Sequence, residues 1–246
     1  MTALPDAPPP KRLGLVIDLD VCVGCQACVT SCKEWNTGGH PAPLSDMDPY
    51  GAHPVGAFLN RVHGYEVDTG AGSQTVHFPR SCLHCDTAPC VTVCPTGASY
   101  KRAEDGIVLV DEDRCIGCGL CAWACPYGAR EMDYAGGVMK KCTLCVDRIY
   151  NDTIPEADRR PACVNACPTS ARHFGDFADP QSEVSRLVRA RNGYDLMPEL
   201  GCRPTNKYLP PRPRAAVEPA APPSEPAAPQ PGGLLGWLDR ALAALG

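Results

Sequence analysis

Large aromatic side chains are scarce, at 6% of 246 residues, whereas proline (27) and glycine (23) are plentiful. A deep hydrocarbon core is therefore excluded as the main source of order. No run of eighteen apolar residues occurs, so no segment reads as a membrane-spanning helix. Met1 to Pro10 is polar and proline-rich and lacks the apolar centre of a secretory leader. There is no basic stripe either: 23 Lys and Arg face 28 Asp and Glu, for a formal charge of −5. That balance argues against a nucleic acid partner, because phosphate binding depends on clustered cations.

What the sequence has in excess is cysteine, 17 residues of it. So many thiols must serve as disulfides, metal ligands or cluster ligands. Dense disulfide scaffolds belong to short secreted chains, whereas this one has 246 residues and a polar, proline-rich start, so disulfides are not expected. Spacing decides among the rest. The clearest group is Cys115, Cys118, Cys121 and Cys125 followed by Pro126, the C-x2-C-x2-C-x3-C-P run of bacterial two-cluster ferredoxins. Three thiols two residues apart let one loop wrap an iron-sulfur cube, and Gly117 and Gly119 admit backbone close to the inorganic sulfurs. The fourth thiol lies about one helical turn further on and points to a different cluster, while Pro126 ends the turn.

Three further groups vary this theme. Cys22, Cys25, Cys28 and Cys32 repeat the spacing, with Lys33 where proline is usual. Cys82, Cys85, Cys90 and Cys94 have two extra residues before the third thiol. Cys142 and Cys145 are separated by an insertion, polar from Asn151 to Arg160, from Cys163 and Cys167. Three groups end in a repeated phrase: Cys94-Pro-Thr-Gly-Ala-Ser, Cys125-Pro-Tyr-Gly-Ala-Arg and Cys167-Pro-Thr-Ser-Ala-Arg. Structural zinc needs two thiol pairs per site, not runs of three with a fourth handed to a neighbour, so zinc is disfavoured. The reading is four 4Fe-4S clusters on sixteen cysteines. Each oxidised cube with four thiolates carries about −2, which deepens the acidity by about −8 in all.

Several other side chains invite a role. His84 sits between two of the thiols, but each motif already has its cysteines, so a hydrogen-bonding or packing role is expected. Lys140, Lys141 and Arg148 flank the fourth motif, either as a solvated basic face or as charges that stabilise a reduced cluster. Trp35 and Trp123 are expected to pack against clusters. Cys202 stands outside every motif and reads as a structural or idle thiol.

The fold class expected is α+β, ferredoxin-like and loop-rich, with short strands alternating with cysteine loops. Leu13 to Leu19 and Gly106 to Arg114 read as strands, and Lys33 to Ser81 as a long insertion without sustained period. Residues 12–211 form the four-cluster domain. Residues 212–233 are a Pro/Ala-rich flexible linker, and 234–246 a short amphipathic helix with leucines at helical spacing.

With the first motif's spacing, the split fourth motif and the phrases Cys-Pro-Thr-Gly-Ala and Lys-Cys-Thr-Leu-Cys-Val-Asp-Arg, the sequence resembles the iron-sulfur subunits of the dimethyl-sulfoxide-reductase family of molybdopterin oxidoreductases. The segments Lys33-Glu-Trp-Asn, Phe58-Leu-Asn-Arg-Val and Val76-His-Phe-Pro-Arg-Ser-Cys look most like the subunit of cytoplasmic sulfite dehydrogenases. The resemblance implies two pseudo-symmetric halves with exchanged ligands. Its cluster sets are Cys22, Cys25, Cys28 with Cys167; Cys32 with Cys142, Cys145, Cys163; Cys82, Cys85, Cys90 with Cys125; and Cys94 with Cys115, Cys118, Cys121. Cys118 stands where some relatives lack a cysteine, so four irons are expected there. It also implies partners: a molybdopterin catalytic subunit at the Cys22 cluster and an integral membrane, quinone-reactive subunit at the Cys94 cluster. On this reading the protein relays electrons, binds no small-molecule substrate and has no catalytic residues of its own. With no twin-arginine signal, it is expected to be cytoplasmic, peripheral on the inner face of the cytoplasmic membrane through its partners. The rivals are the same relay in a dimethyl sulfoxide, polysulfide or tetrathionate reductase, and a soluble polyferredoxin.

Overall fold

The computed structural model describes residues 4–36, 57–68, 72–134, 136–212 and 242. One compact unit runs to Arg212 and a second covers Pro213–Gly246, of which only Leu242 is described. The linker and the helix expected beyond residue 211 therefore lie almost wholly outside the described residues.

The chain runs β1 (Leu13–Asp18), α1 (Ala27–Asn36), β2 (Asn60–Asp68), β3 (Ser73–Ser81), α2 (Pro89–Thr92), β4 (Ser99–Lys101), β5 (Val108–Val110) and α3 (Leu120–Trp123). It continues with β6 (Glu131–Asp133), β7 (Val138–Lys140), α4 (Val146–Ile149), α5 (Ala162–Asn165), β8 (Arg172–Asp176), α6 (Glu183–Ala190) and β9 (Lys207–Leu209). Most of the helices are single turns, and α2, α3 and α5 each run up to a cysteine followed by proline, which ends the turn.

Two nested ferredoxin-like halves account for this order. β1 leads into the first cysteine group and β8 follows the fourth; they pair antiparallel, with Leu13 opposite Asp176 and Ile17 opposite Arg172. β9 adds to the other edge of β1 in parallel, with Ile17 opposite Tyr208. Helix α6 covers the face of β1 that carries Val16 and the main core covers the face that carries Leu15 and Ile17, so all three are completely buried and the sequence is apolar without alternation. In the inner half, β4 follows the second group and pairs with β5, which leads into the third. The helices repeat the pairing, α1 against α5 and α2 against α3.

Helix α6 covers the outer sheet. Ser182 caps it, its Oγ accepting from the Ser185 N–H at 3.2 Å, with Glu183 in the first turn and Arg189 in the last, a charge order that suits the helix dipole. Val184, fully buried, packs with Val16 and Leu209. The two halves are strapped together by Asn206, whose Oδ1 accepts from the Leu15 N–H at 2.7 Å while its Nδ2 donates to the Cys82 carbonyl at 3.0 Å.

The stretch Lys33 to Ser81 differs from the irregular insertion expected. Residues 33–36 finish α1, and β2 and β3 form a nine-residue antiparallel hairpin from Asn60 opposite Ser81 to Asp68 opposite Ser73. Only the base of the hairpin packs: Asn60 and Val62 are buried, whereas Gly64 to Asp68 are exposed. A period-2 pattern is thus confined to a few residues and interrupted by Gly64 and Pro79, so it does not stand out along the sequence.

Candidate cluster-binding sites

The cysteine loops bring sixteen thiols together in four sets. Cys82, Cys85, Cys90 and Cys125 line one cavity. Cys94, Cys115, Cys118 and Cys121 line another, and Cys22, Cys25, Cys28 and Cys167 a third. Cys32, Cys142, Cys145 and Cys163 are all buried, and the last three are the like charges that act on Cys32. Every set mixes thiols from two motifs. This follows from the nested pairing, since the fourth cysteine of each motif sits after a helical turn that packs on the partner motif's turn.

Left-handed backbone shapes the loops. Gly117 has φ +65°, and a Cβ there would lie 2.4 Å from the Gly137 carbonyl oxygen. Gly119, at φ +76°, has nothing within 4 Å of that position and opens α3. Glycine serves the first position through close approach as well as conformation, and the second through conformation alone.

Burial dominates the chemistry of the inner thiols. It pushes the Cys142 thiol up to about 12 and the Cys145 thiol up to about 11, and raises Cys32, Cys85 and Cys163 as well. Bare thiols here stay protonated, so binding iron must release their protons, and cluster assembly is coupled to the final packing. At Cys94 burial also acts upward, but hydrogen bonds led by the Ser99 N–H outweigh it and the thiol is lowered. Backbone N–H groups point at sulfurs in every set: Ser99 to Cys94 at 3.3 Å, Ala171 to Cys167 at 3.2 Å, Met139 to Cys115 at 3.4 Å, Ala162 to Cys145 at 3.5 Å, and those of Ala129 and Tyr127 to Cys125. Such donors stabilise negative charge on sulfur, and more so in a reduced cluster.

Iron-sulfur cubes suit these sites. Buried Arg130 borders two of the cavities, and its Nη1 has no hydrogen-bond partner among the described residues. His84 is fully buried, accepts from the Val108 N–H through Nδ1 at 3.1 Å and leaves Nε2 equally unpartnered. Burial, with help from Lys141, Lys101 and Arg130, holds its imidazole well below the usual range and therefore neutral. A cube with exposed sulfides is an acceptor of the kind these donors lack. Among the described residues, no three His, Cys, Asp or Glu side chains converge closely enough to hold a single metal ion, whereas thiols spread around a cavity fit a cube's corners.

The remaining sequence candidates separate. Lys141 is buried, its Nζ donating to the Cys142 carbonyl at 2.6 Å and to the Val108 carbonyl. Lys140 instead pairs with Glu112, and Arg148 lies over the Trp35 ring at 4.5 Å. Trp35 also donates to Asp147 at 2.8 Å. Trp123 does not pack on a cluster site: 91% of it is exposed, because α3 is a single turn whose other face carries Cys121. Cys202 is buried with its sulfur 3.7 Å from the Leu200 carbonyl, and it lines none of the three cysteine cavities. Three polar residues at the thiols escape a reading of the motifs alone. Arg130 and Arg172 are the last residues of the repeated phrase, and Asn36 sits four residues after Cys32, with Nδ2 3.6 Å from the Cys32 sulfur and 3.7 Å from that of Cys145. For the arginines, their shared place in the repeat is the signal that could have found them.

Comparison with known proteins bears on the same residues. The 4Fe-4S dicluster domain families match residues 21–98 and 73–177. A sulfite dehydrogenase subunit of Allochromatium vinosum is 63% identical over 82% of this chain and 84% of that protein. A putative dimethyl sulfoxide reductase iron-sulfur subunit of Halobacterium salinarum is 36% identical over 80% and 78%, and a polysulfide reductase chain of Wolinella succinogenes is 35% identical over 85% and 98%. Two dicluster domains correspond to four 4Fe-4S clusters. With its four sets of thiols, its two ferredoxin-like halves and these relatives, the protein belongs to the iron-sulfur, electron-transfer subunits of the dimethyl-sulfoxide-reductase family of molybdopterin oxidoreductases.

Proposed function

We propose that this protein relays electrons from sulfite, oxidised on a molybdopterin partner, to a quinone-reactive membrane partner. The observation that carries the substrate is the 63% identity to a sulfite dehydrogenase subunit over most of both chains. Sulfite and water give sulfate, two protons and two electrons; quinone takes up two electrons and two protons to give quinol. The four thiol sets are the ligand sets, and bound clusters supply one-electron carriers.

The protein's own contribution is spacing, shielding and contact. Cys32, Cys142, Cys145 and Cys163 are buried, as are three thiols of the Cys82 set, which excludes water from the middle of the relay. The outer sets reach the surface at Cys25 and Cys118. Around Cys118, Ile116 (66% exposed), Leu120 and Trp123 offer apolar side chains to a partner, and Val23 does so near Cys25. These exposed loops suit the two ends of a relay between subunits, the Cys22 set towards the molybdopterin subunit and the Cys94 set towards the membrane subunit. Among the described residues no helix is long and apolar enough to cross a membrane. The membrane link is assigned to the partner, on the cytoplasmic face.

The test is to purify the native complex and assay sulfite-dependent quinone reduction. Co-purification of both partners with that activity is expected. A complex that reduces tetrathionate or polysulfide and leaves sulfite untouched refutes the substrate, and a protein that purifies without fixed partners refutes the assembly.

A further inference from the structure

Arg130 and Arg172 hold the same position in the repeated phrase, five residues after Cys125 and Cys167, and both are buried. Arg130 borders both the Cys82 cavity and the Cys94 cavity. Its Nη2 donates to the Cys90 sulfur at 2.9 Å and to Ser99 Oγ at 2.8 Å, and its charge also acts on Cys121. Arg172 borders the Cys22 cavity, its Nη1 lies 3.7 Å from the Cys163 sulfur, and its charge acts on Cys28 and Cys32. Each guanidinium thus reaches the third cysteine of both motifs in its half. Asn60 Oδ1, 2.6 Å from Arg172 Nη2, and Ser99 Oγ hold the two groups in place without neutralising them. Among the described residues no carboxylate forms an ion pair with either guanidinium. Buried Lys141 adjoins Cys142, its Nζ donating to that residue's carbonyl, but burial lowers its pKa and so disfavours its charge, which leaves the two arginines as the fixed cations.

We propose that Arg172 and Arg130 are fixed buried cations, each between the two clusters of its half, that raise the potentials of the clusters on both sides. The inference rests on the ligand sets proposed above. Reduction adds a negative charge to a cluster that is already anionic, and a cation a few ångströms away in a poorly solvated interior favours it. A cation placed between two clusters favours the electron on either, so neither neighbour becomes a deep trap. Arginine keeps its charge under all working conditions and cannot be silenced by proton loss. These are positioning and tuning residues, not ligands.

The test is a spectroscopically monitored redox titration of the purified full-length protein with its clusters, each centre assigned beforehand from Cys22→Ala, Cys142→Ala, Cys82→Ala and Cys115→Ala variants, one for each set. In Arg130→Gln the centres of the Cys82 and Cys94 sets should become harder to reduce, the reduced-to-oxidised ratio at a fixed potential falling at least tenfold, about 59 mV for a one-electron couple. The other two centres should hold still. Arg172→Gln should move the Cys22 and Cys32 sets instead, and Arg130→Lys, which keeps the charge, should stay near the parent. Unmoved potentials in both glutamine variants overturn the inference while leaving the ligand sets intact. Equal shifts in Arg130→Lys and Arg130→Gln overturn it too, since shape rather than charge would then be responsible. If Arg130→Gln loses iron, Arg172→Gln against Arg172→Lys decides. The ligand sets are tested separately, through Cys125→Ala.

Discussion

Replacing Gly117 by alanine should loosen one cluster site far more than replacing Gly119, two residues away. Both glycines lie in the left-handed region, where a Cβ costs roughly 1–2 kcal/mol. At Gly119 the new methyl meets nothing within 4 Å, so that cost is the whole effect. At Gly117 it lands 2.4 Å from the Gly137 carbonyl oxygen, which is backbone and cannot rotate away. The turn between β6 and β7 must then shift, adding an overpacking cost of roughly 1–3 kcal/mol. The sum, about 3 kcal/mol, corresponds to about a hundredfold larger open population of the loop, against about tenfold for Gly119→Ala. The assay is iron release from the purified holo-protein to a chelator, followed by loss of visible absorption, with spectroscopy naming the centre that goes first. That centre should be the one held by Cys94, Cys115, Cys118 and Cys121. Equal lability of the two variants, or earlier loss of a different centre, refutes the reasoning.

Cys125→Ala should lose the same spectroscopic centre as Cys82→Ala and spare the one that Cys115→Ala loses; coincidence with Cys115→Ala would show that each motif keeps its own cluster. Asn206→Ala strands the buried Leu15 N–H and Cys82 carbonyl, a cost of about 2–4 kcal/mol in chemical denaturation at equal cluster content, and an unchanged midpoint would remove the strap from the account. Cys202→Ser should retain full iron content and all four centres, because this thiol lines none of the cysteine cavities; loss of a centre would make it a ligand.

Much of this protein is legible in the sequence because cluster ligation is a matter of local spacing. Cys115, Cys118 and Cys121 are close enough in sequence to be bound by one cube whatever surrounds them, so the number and type of clusters follow from counting. The run Leu13 to Asp18 likewise announces a strand buried on both faces. Three things required the tertiary structure. The hairpin Asn60–Ser81 packs only at its base, so its pattern is too short to read. Trp123 is expected inside and stands in solvent, because a four-residue helix has room to bury one side and that side carries Cys121. The meeting of thiols from two motifs, and the placing of Arg130 and Arg172 beside them, depend on which helical turns meet. Arg172 at the start of β8 and Asn60 at the start of β2, 112 residues apart, come within 2.6 Å only through the tertiary fold.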